Sequence, residues 1–346
     1  MYDLNLLIPF TPSERLQKMI NAACSDKKVN IVNNVDKCRD LCGKRVLIAA
    51  HVNESGHNME LMKFISELSK KKVVFDNASG GILCTSSSEY FTKSFSRDLI
   101  FYFNSMGMNF IGHPLVEATD SLKNFLTWQK VYDMPLMDIC LMQCKKLGDR
   151  LSNEDFLMAE KPYITVLHSS MRETSNTLTL WGMIKKHLNF DINEINVSNG
   201  KIFDCTGCTF KTCIHYSKQE SCFYGGPIVK EIYPSIKRSS AIVFISPNYN
   251  DAVSANLCAV INRLTALYRK MKFNNKALFA VIVSGNSGSD LVAKQLIGAL
   301  NINKGFYLPN NFAIMETAND FGAILKVQNI ENKAENFARH IIECQT

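Results

Sequence analysis

The sequence predicts an α/β architecture: doubly wound parallel sheets with helices on both faces, present twice in tandem. Three observations carry this expectation. Short apolar runs, β-branched or aromatic-rich, alternate with helical patterns along the chain, which suits parallel strands buried on both faces. In the C-terminal half three such runs each lead into a loop rich in Ser, Asn, Gly and Thr that opens a helical pattern. Stretches of the N-terminal half also align with the C-terminal half at a nearly constant offset.

In chain order, LNLLIPF is the first predicted strand, and TPSERL starts a helix with Thr11 or Ser13 as cap. Pro12 suits that helix's first turn. VLIAAHVN, ending at Asn53, is the next strand considered. NMELMKFISELSKK then places apolar residues at helical spacing from Leu61 to Leu68. The basic run Lys70 to Lys72 ends that helix, where cations complement the dipole. Cys38 with Cys42, and Cys140 with Cys144, have i,i+4 spacing and read as packed or surface thiols. The stretch LGDRLSNEDFLMAEKP carries a boundary between Leu147 and Pro162. Its signals are Gly148, a polar Ser152–Asp155 group suited to cap one more helical turn, and Pro162 before the next strand. The expected domains are residues 1–150 and 161–346.

The three loops follow in the second domain. They are YITVLHSSMRETSNT (Tyr163 to Thr177), AIVFISPNYNDAVSAN (Ala241 to Asn256) and ALFAVIVSGNSGSD (Ala277 to Asp290). Between the last two, NLCAVINRLTALYRK has helical spacing from Leu257 to Leu267. The loops make one site, because ligands of open α/β sheets bind beyond the carboxyl ends of the strands at a switch point. In the first loop, Ser169, Ser170, Thr174, Ser175 and Thr177 gather hydroxyls around Arg172 and Asn176. A helix N-terminus favours an anion there, hydroxyls complete the cradle, and a guanidinium adds a charge-assisted bond. The same residue types also serve as ordinary helix caps.

The C-terminal half resembles the NAD(P)H-dependent FMN reductase family of the flavodoxin-like superfamily. The family's Ser-x-Arg-x-x-Ser-Asn-Thr pattern is matched by Ser170, Arg172, Ser175, Asn176 and Thr177. Its Ser-Pro-x-Tyr signature is matched by Ser246, Pro247, Asn248 and Tyr249, followed by Asn250 and Ser254. The glycine-containing third loop falls on Ser284, Gly285, Asn286, Ser287 and Gly288. His168-Ser169 stands where the family often has a glycine. The resemblance implies that the first loop, with Ser169, holds the FMN phosphate. It also implies that Pro247 to Asn250 run along the isoalloxazine edge and that Ser284 to Gly288 close over the other edge. No side chain is then needed as acid or base, because the flavin carries the hydride chemistry.

The N-terminal half reads as a second copy of the same flavodoxin-like fold. Asn53 sets against Asn248, Leu99 against Leu296 and Glu117 against Glu316, offsets of 195, 197 and 199. Such monotonic drift points to internal duplication, with generic α/β similarity as the alternative. This copy is degenerate at the loops. It lacks counterparts of Arg172 and Asn176, and HVNESGHN lacks the Pro-x-Tyr element. One FMN site is therefore expected, with the first copy as scaffold or interface. In the family flavins usually lie near a subunit interface, which allows for a homo-oligomer.

The longer second copy holds DCTGCTFKTCIHYSKQESCFYGG, with Cys205, Cys208, Cys213 and Cys222. Such thiolates are compatible with a 4Fe–4S cluster, with zinc and His215 as a further ligand, or with no metal. Tyr224-Gly225-Gly226 makes a turn before the next helix.

At 46% hydrophobic and 21% charged, 346 residues suffice for two cores. No signal peptide is evident, no apolar run approaches a membrane span, and twelve cysteines fit a reducing cytosol. A net charge of +7 without aromatic–basic interleaving argues against nucleic acid. The expected activity is FMN-dependent oxidation of NAD(P)H, with electrons passed to a quinone, a nitro or azo compound, a flavin or a protein. There is no Gly-x-Gly-x-x-Gly or Walker A pattern, so the nicotinamide donor is implied by the resemblance alone. An electron carrier with a cluster, recognised by its absorption, and a colourless non-enzymatic module are the two rivals.

Overall fold

The computed structural model describes residues 2–153, 155–156, 159–170, 174–198, 200 and 202–346. The chain divides into two compact units, Met1–Asp155 and Phe156–Thr346.

The N-terminal unit alternates β1 (Leu4–Leu7), α1 (Glu14–Ala23), β2 (Val29–Val32), β3 (Arg45–Val52), α2 (Met59–Lys70), β4 (Ser79–Ser86), α3 (Thr92–Ser105) and β5 (Asn109–Ala118). It ends on α4 (Leu126–Tyr132) and α5 (Leu136–Asn153). All strands pair in parallel, in the order β2-β1-β3-β4-β5. β4 is buried along its whole length, as a central strand between two helical layers must be. Ser13 caps α1, its Oγ accepting from the Leu16 N–H at 3.4 Å, so Pro12 lies before the helix and not in its first turn. Ser152 and Asn153 form the last turn of α5. Gly148 is no boundary signal either. It lies inside α5, where an added Cβ would come within 1.9 Å of the Ala23 carbonyl, and that closeness lets α5 pack on α1.

The C-terminal unit repeats the plan. Its elements are β6 (Tyr163–His168), α6 (Asn176–Lys185), β7 (Asp191–Asn196), α7 (Phe210–Lys218), α8 (Tyr233–Arg238), β8 (Ala241–Pro247) and α9 (Ala255–Tyr268). β9 (Ala277–Ser284), α10 (Ser289–Leu296), β10 (Ala313–Thr317) and α11 (Ile330–Glu343) complete it. The parallel order is β7-β6-β8-β9-β10, the same 2-1-3-4-5 order as the first sheet and that of flavodoxin-like folds. The aligned pairs fall on equivalent elements: Asn53 and Asn248 directly follow β3 and β8, while Glu117 and Glu316 lie in β5 and β10. On one face of the second sheet, Val166, Val243, Phe279 and Val281 pack against Trp181, Ile184, Phe337 and Ile341. Each such fully buried side chain contributes about 1.5–3 kcal/mol.

Candidate functional site

The reversal of strand order lies between β6 and β8, so the loops after these strands open a crevice at the carboxyl edge. The first loop leaves β6 at His168 and enters α6 through Ser175, whose Oγ accepts from the Leu178 N–H at 3.4 Å. Ser170 Oγ lies 3.2 Å from Ser175 Oγ, and the Asn196 amide donates to the Ser170 carbonyl at 3.1 Å. These bonds fix Ser170 and Ser175 at the described ends of the loop. Arg172 lies outside the described residues.

The second loop is tied to the first by a 2.7 Å bond between Ser169 Oγ and Ser254 Oγ. Its tip is a tight turn in which Asn250 and Asp251 take φ of +52° and +58° and the Ala252 N–H donates to the Tyr249 carbonyl at 3.2 Å. Asn and Asp are the non-glycine residues that best tolerate this left-handed backbone. The third loop is tied to the second: Asn248 Nδ2 donates to the Ser287 carbonyl at 2.8 Å and to Asp251 Oδ1 at 3.1 Å.

A fourth loop, following β10, was not expected from the sequence. Asn176 Nδ2 donates to the carbonyls of Ala318 and Asp320 at 3.0 and 2.8 Å, and its Oδ1 accepts from the Ile324 N–H at 3.3 Å. Within this loop Asn319 faces Gly285 so closely that a Cβ there would lie 2.8 Å from Asn319 Oδ1. The available signal was the alignment of Glu117 with Glu316, which marks a fifth parallel strand whose carboxyl end must reach the same edge.

Together these loops enclose a cleft of about 940 Å³. Of the expected residues, Ser169, Ser170, Ser175, Asn176, Thr177, Pro247, Asn248, Tyr249 and Gly285 line it. Ser284, Asn286, Ser287, Gly288 and Asn250 are not among the residues that line it. Asn256, Ala318, Asn319 and Phe321 line it as well. None of the described lining residues is charged. One side is hydroxyls and the N-terminal end of α6, while Tyr249 (58% exposed) and Phe321 (75% exposed) stand at the mouth. Below the first loop His168 is buried with Nδ1 unpartnered, and burial pushes its pKa below the ordinary value.

The fit to a flavin mononucleotide rests on two features. Asn248 Oδ1 is buried without a partner, an orphaned acceptor at the wall of the cleft. The hydroxyl cluster at the α6 N-terminus supplies donors suited to a phosphate. The cysteine segment is separate. Cys205 is exposed and Cys208, Cys213 and Cys222 are half-buried. Among the described residues no three His, Cys, Asp or Glu side chains converge on a metal position.

Residues 162–320 match the model of the NADPH-dependent FMN reductase family. The resemblance read from the three loops thus holds over this stretch. No curated protein sequence matches the chain. Among solved structures the chain is similar to RosB with a bound 8-demethyl-8-formylriboflavin-5'-phosphate intermediate (14% identity, 54% of this chain and 82% of that one, TM-score 0.41). It is also similar to the NAD(P)H:quinone oxidoreductase of Methanothermobacter marburgensis (13%, 52% and 99%, 0.39). A third is the FMN-dependent NADH-azoreductase of Bacillus anthracis (10%, 52% and 99%, 0.35).

Proposed function

We propose that residues 161–346 bind FMN in the 940 Å³ cleft and oxidise NAD(P)H, passing the electrons to a small-molecule or protein acceptor. The observation that carries this reading is the convergence of four loops at the β6/β8 switch point, polar at one end and aromatic at the mouth. The phosphate is assigned to Ser169, Ser170, Ser175 and Thr177 with the α6 amides, and to Arg172. Asn176 acts one step back, fixing the fourth loop against the first. The ring is assigned to Pro247, Asn248, Tyr249 and Gly285, with the orphaned Asn248 Oδ1 available to a ring N–H. Asn250, Ser284 and Asn286 to Gly288 keep those residues in place.

When bound, FMN supplies the two-electron chemistry, and no protein side chain serves as acid or base. The residues of the chain position the cofactor, withdraw its phosphate end from water and leave the mouth open beside Tyr249 and Phe321 for donor and acceptor. The absence of charge among the described lining residues keeps that mouth permissive, which fits a quinone, azo or nitro compound as well as a flavin. Residues 1–150 are a degenerate copy outside this chemistry. The twelve unpaired cysteines fit a reducing cytosol.

The test is an absorption spectrum of protein purified without oxygen, with FMN and iron quantified on the same sample, followed by an NAD(P)H oxidation assay. Flavin bands at about one FMN per chain, with nicotinamide-dependent bleaching, are expected. A colourless protein that takes up no added FMN overturns the reading.

A further inference from the structure

We propose that the N-terminal unit has a ligand site of its own, for a small hydroxylated phosphate monoester of sugar-phosphate size. The carboxyl edge of its sheet encloses a separate cleft of about 420 Å³. The cleft sits at the β1/β3 strand-order reversal, where an open α/β sheet binds ligands. The loops of this unit do not match the flavin pattern, yet the fold still makes a cavity there, and its walls have a chemistry of their own.

The sheet side of the cleft is hydroxyl. Thr85 and Ser86, each 1% exposed, close β4, and Ser87 follows at the mouth. Ser86 Oγ accepts from the Ser88 N–H at 3.0 Å, so its own proton remains to be donated. His51 also lines the cleft, and its Nδ1 is buried without a partner.

The helix side carries two cations, Arg15 and Lys18, with the Glu14 carboxylate beside them. Arg15 donates through Nη1 to the Thr119 carbonyl at 3.0 Å, which fixes the guanidinium while leaving its other N–H groups for an anion. Lys18 pairs with Glu14 at 2.7 Å, but both side chains are mostly exposed, and such a pair exchanges partners at little cost. Asp120 lines the cleft as well. Its carboxylate would repel a phosphate but accepts readily from sugar hydroxyls. The arrangement therefore assigns the phosphate to Arg15 and Lys18 and the hydroxyls to Asp120. At under half the volume of the other cleft, and with no Phe, Tyr or Trp among the described lining residues, the site fits a sugar phosphate and not a flavin.

The experiment is calorimetric titration of the full chain, saturated with FMN, with ribose 5-phosphate, and in parallel with ribose and with inorganic phosphate. One ribose 5-phosphate site per chain is expected, about tenfold or more tighter than for either fragment. The Arg15→Met/Lys18→Met variant should weaken it by about tenfold or more with FMN affinity unchanged. Should that variant fail to fold, Ser87→Leu, at an exposed position on the mouth, should block the same titration. No binding at millimolar ribose 5-phosphate, or binding untouched by these substitutions, overturns the proposal. Equal affinity for inorganic phosphate overturns the assignment to a sugar phosphate. The same titration run without FMN gives its answer whether or not the C-terminal unit binds flavin.

Discussion

Asn176 donates from Nδ2 to the Asp320 carbonyl at 2.8 Å, joining the first residue of α6 to a loop more than a hundred residues later in the chain. The same nitrogen reaches the Ala318 carbonyl, and Oδ1 takes the Ile324 N–H. Both donors of the amide and one acceptor site thus hold the fourth loop against the first, so this cleft-lining residue also acts as a clasp. Asn176→Ala should cost about 1–3 kcal/mol in chemical unfolding through the groups left unpaired. FMN affinity should fall by about tenfold, because Asn319 and Phe321 lose their anchor. Asn176→Asp keeps the acceptor for Ile324 but loses both donors, so it should resemble Ala. Fluorescence titration with FMN checks this, and unchanged affinity in both variants would remove Asn176 from the site.

Gly288 has φ of +83°, and a Cβ on it would lie 2.0 Å from Asp251 Oδ1 and 2.9 Å from Asn248 Nδ2. Backbone and contact both demand glycine, so Gly288→Ala should destabilise the chain by about 1–3 kcal/mol and displace the second loop. Adding Asp251→Ala removes the steric part and leaves the backbone part. The double variant should thus recover some stability but less than all of it. Thermal unfolding of the four proteins of this cycle measures the split, and strict additivity would show that Asp251 is not the obstacle.

The architecture was legible because it follows from periodicity. Alternating apolar runs and helical patterns, with Asn53, Leu99 and Glu117 drifting slowly against their counterparts, already implied two sheets of one topology. The first three loops were legible because their Ser, Asn and Gly content stands out locally. Asn319 and Phe321 were not, because nothing local marks them; they matter through the return of β10 to the same edge. Pro12 and Gly148 show the other limit. Each carries a standard turn or boundary signal, and each is overruled: Pro12 locally, because Ser13 captures the cap, and Gly148 by tertiary packing, because the approach of α5 to Ala23 needs the missing side chain. The cations of the N-terminal cleft escaped notice because Arg15 and Lys18 sit on the helix itself, not in a loop motif.

His168 is buried at the end of β6, and burial holds its pKa below that of an unfolded histidine. The sign follows directly. Above about pH 6.5 the side chain is neutral in both states. As pH falls below that, the unfolded chain binds the proton first, so stability contributed by the neutral ring is lost on acidification through the folded pKa. Wild-type protein should lose stability as pH falls below about 6.5 more steeply than His168→Gln, which cannot titrate. Denaturant midpoints across that window decide it, and parallel curves would mean that His168 keeps an ordinary pKa. His340, also lowered by burial, supplies a background slope common to both proteins.

Asn53 occupies the position in the first unit that Asn248 occupies in the second, but it is spent differently. Its Oδ1 accepts from the N–H groups of Ser55 and His57, both at 3.0 Å, and curls the loop after β3 back on itself. Asn248 instead ties two loops together and leaves its Oδ1 facing the cleft wall without a partner. Asn53→Ala should therefore lower stability by about 1 kcal/mol through the lost turn bonds. FMN stoichiometry and affinity should be unchanged, whereas Asn248→Ala should weaken flavin binding by about tenfold. The pair is checked by flavin quantification and affinity on both variants. A loss of FMN in Asn53→Ala would mean that the first copy contributes to the flavin site after all.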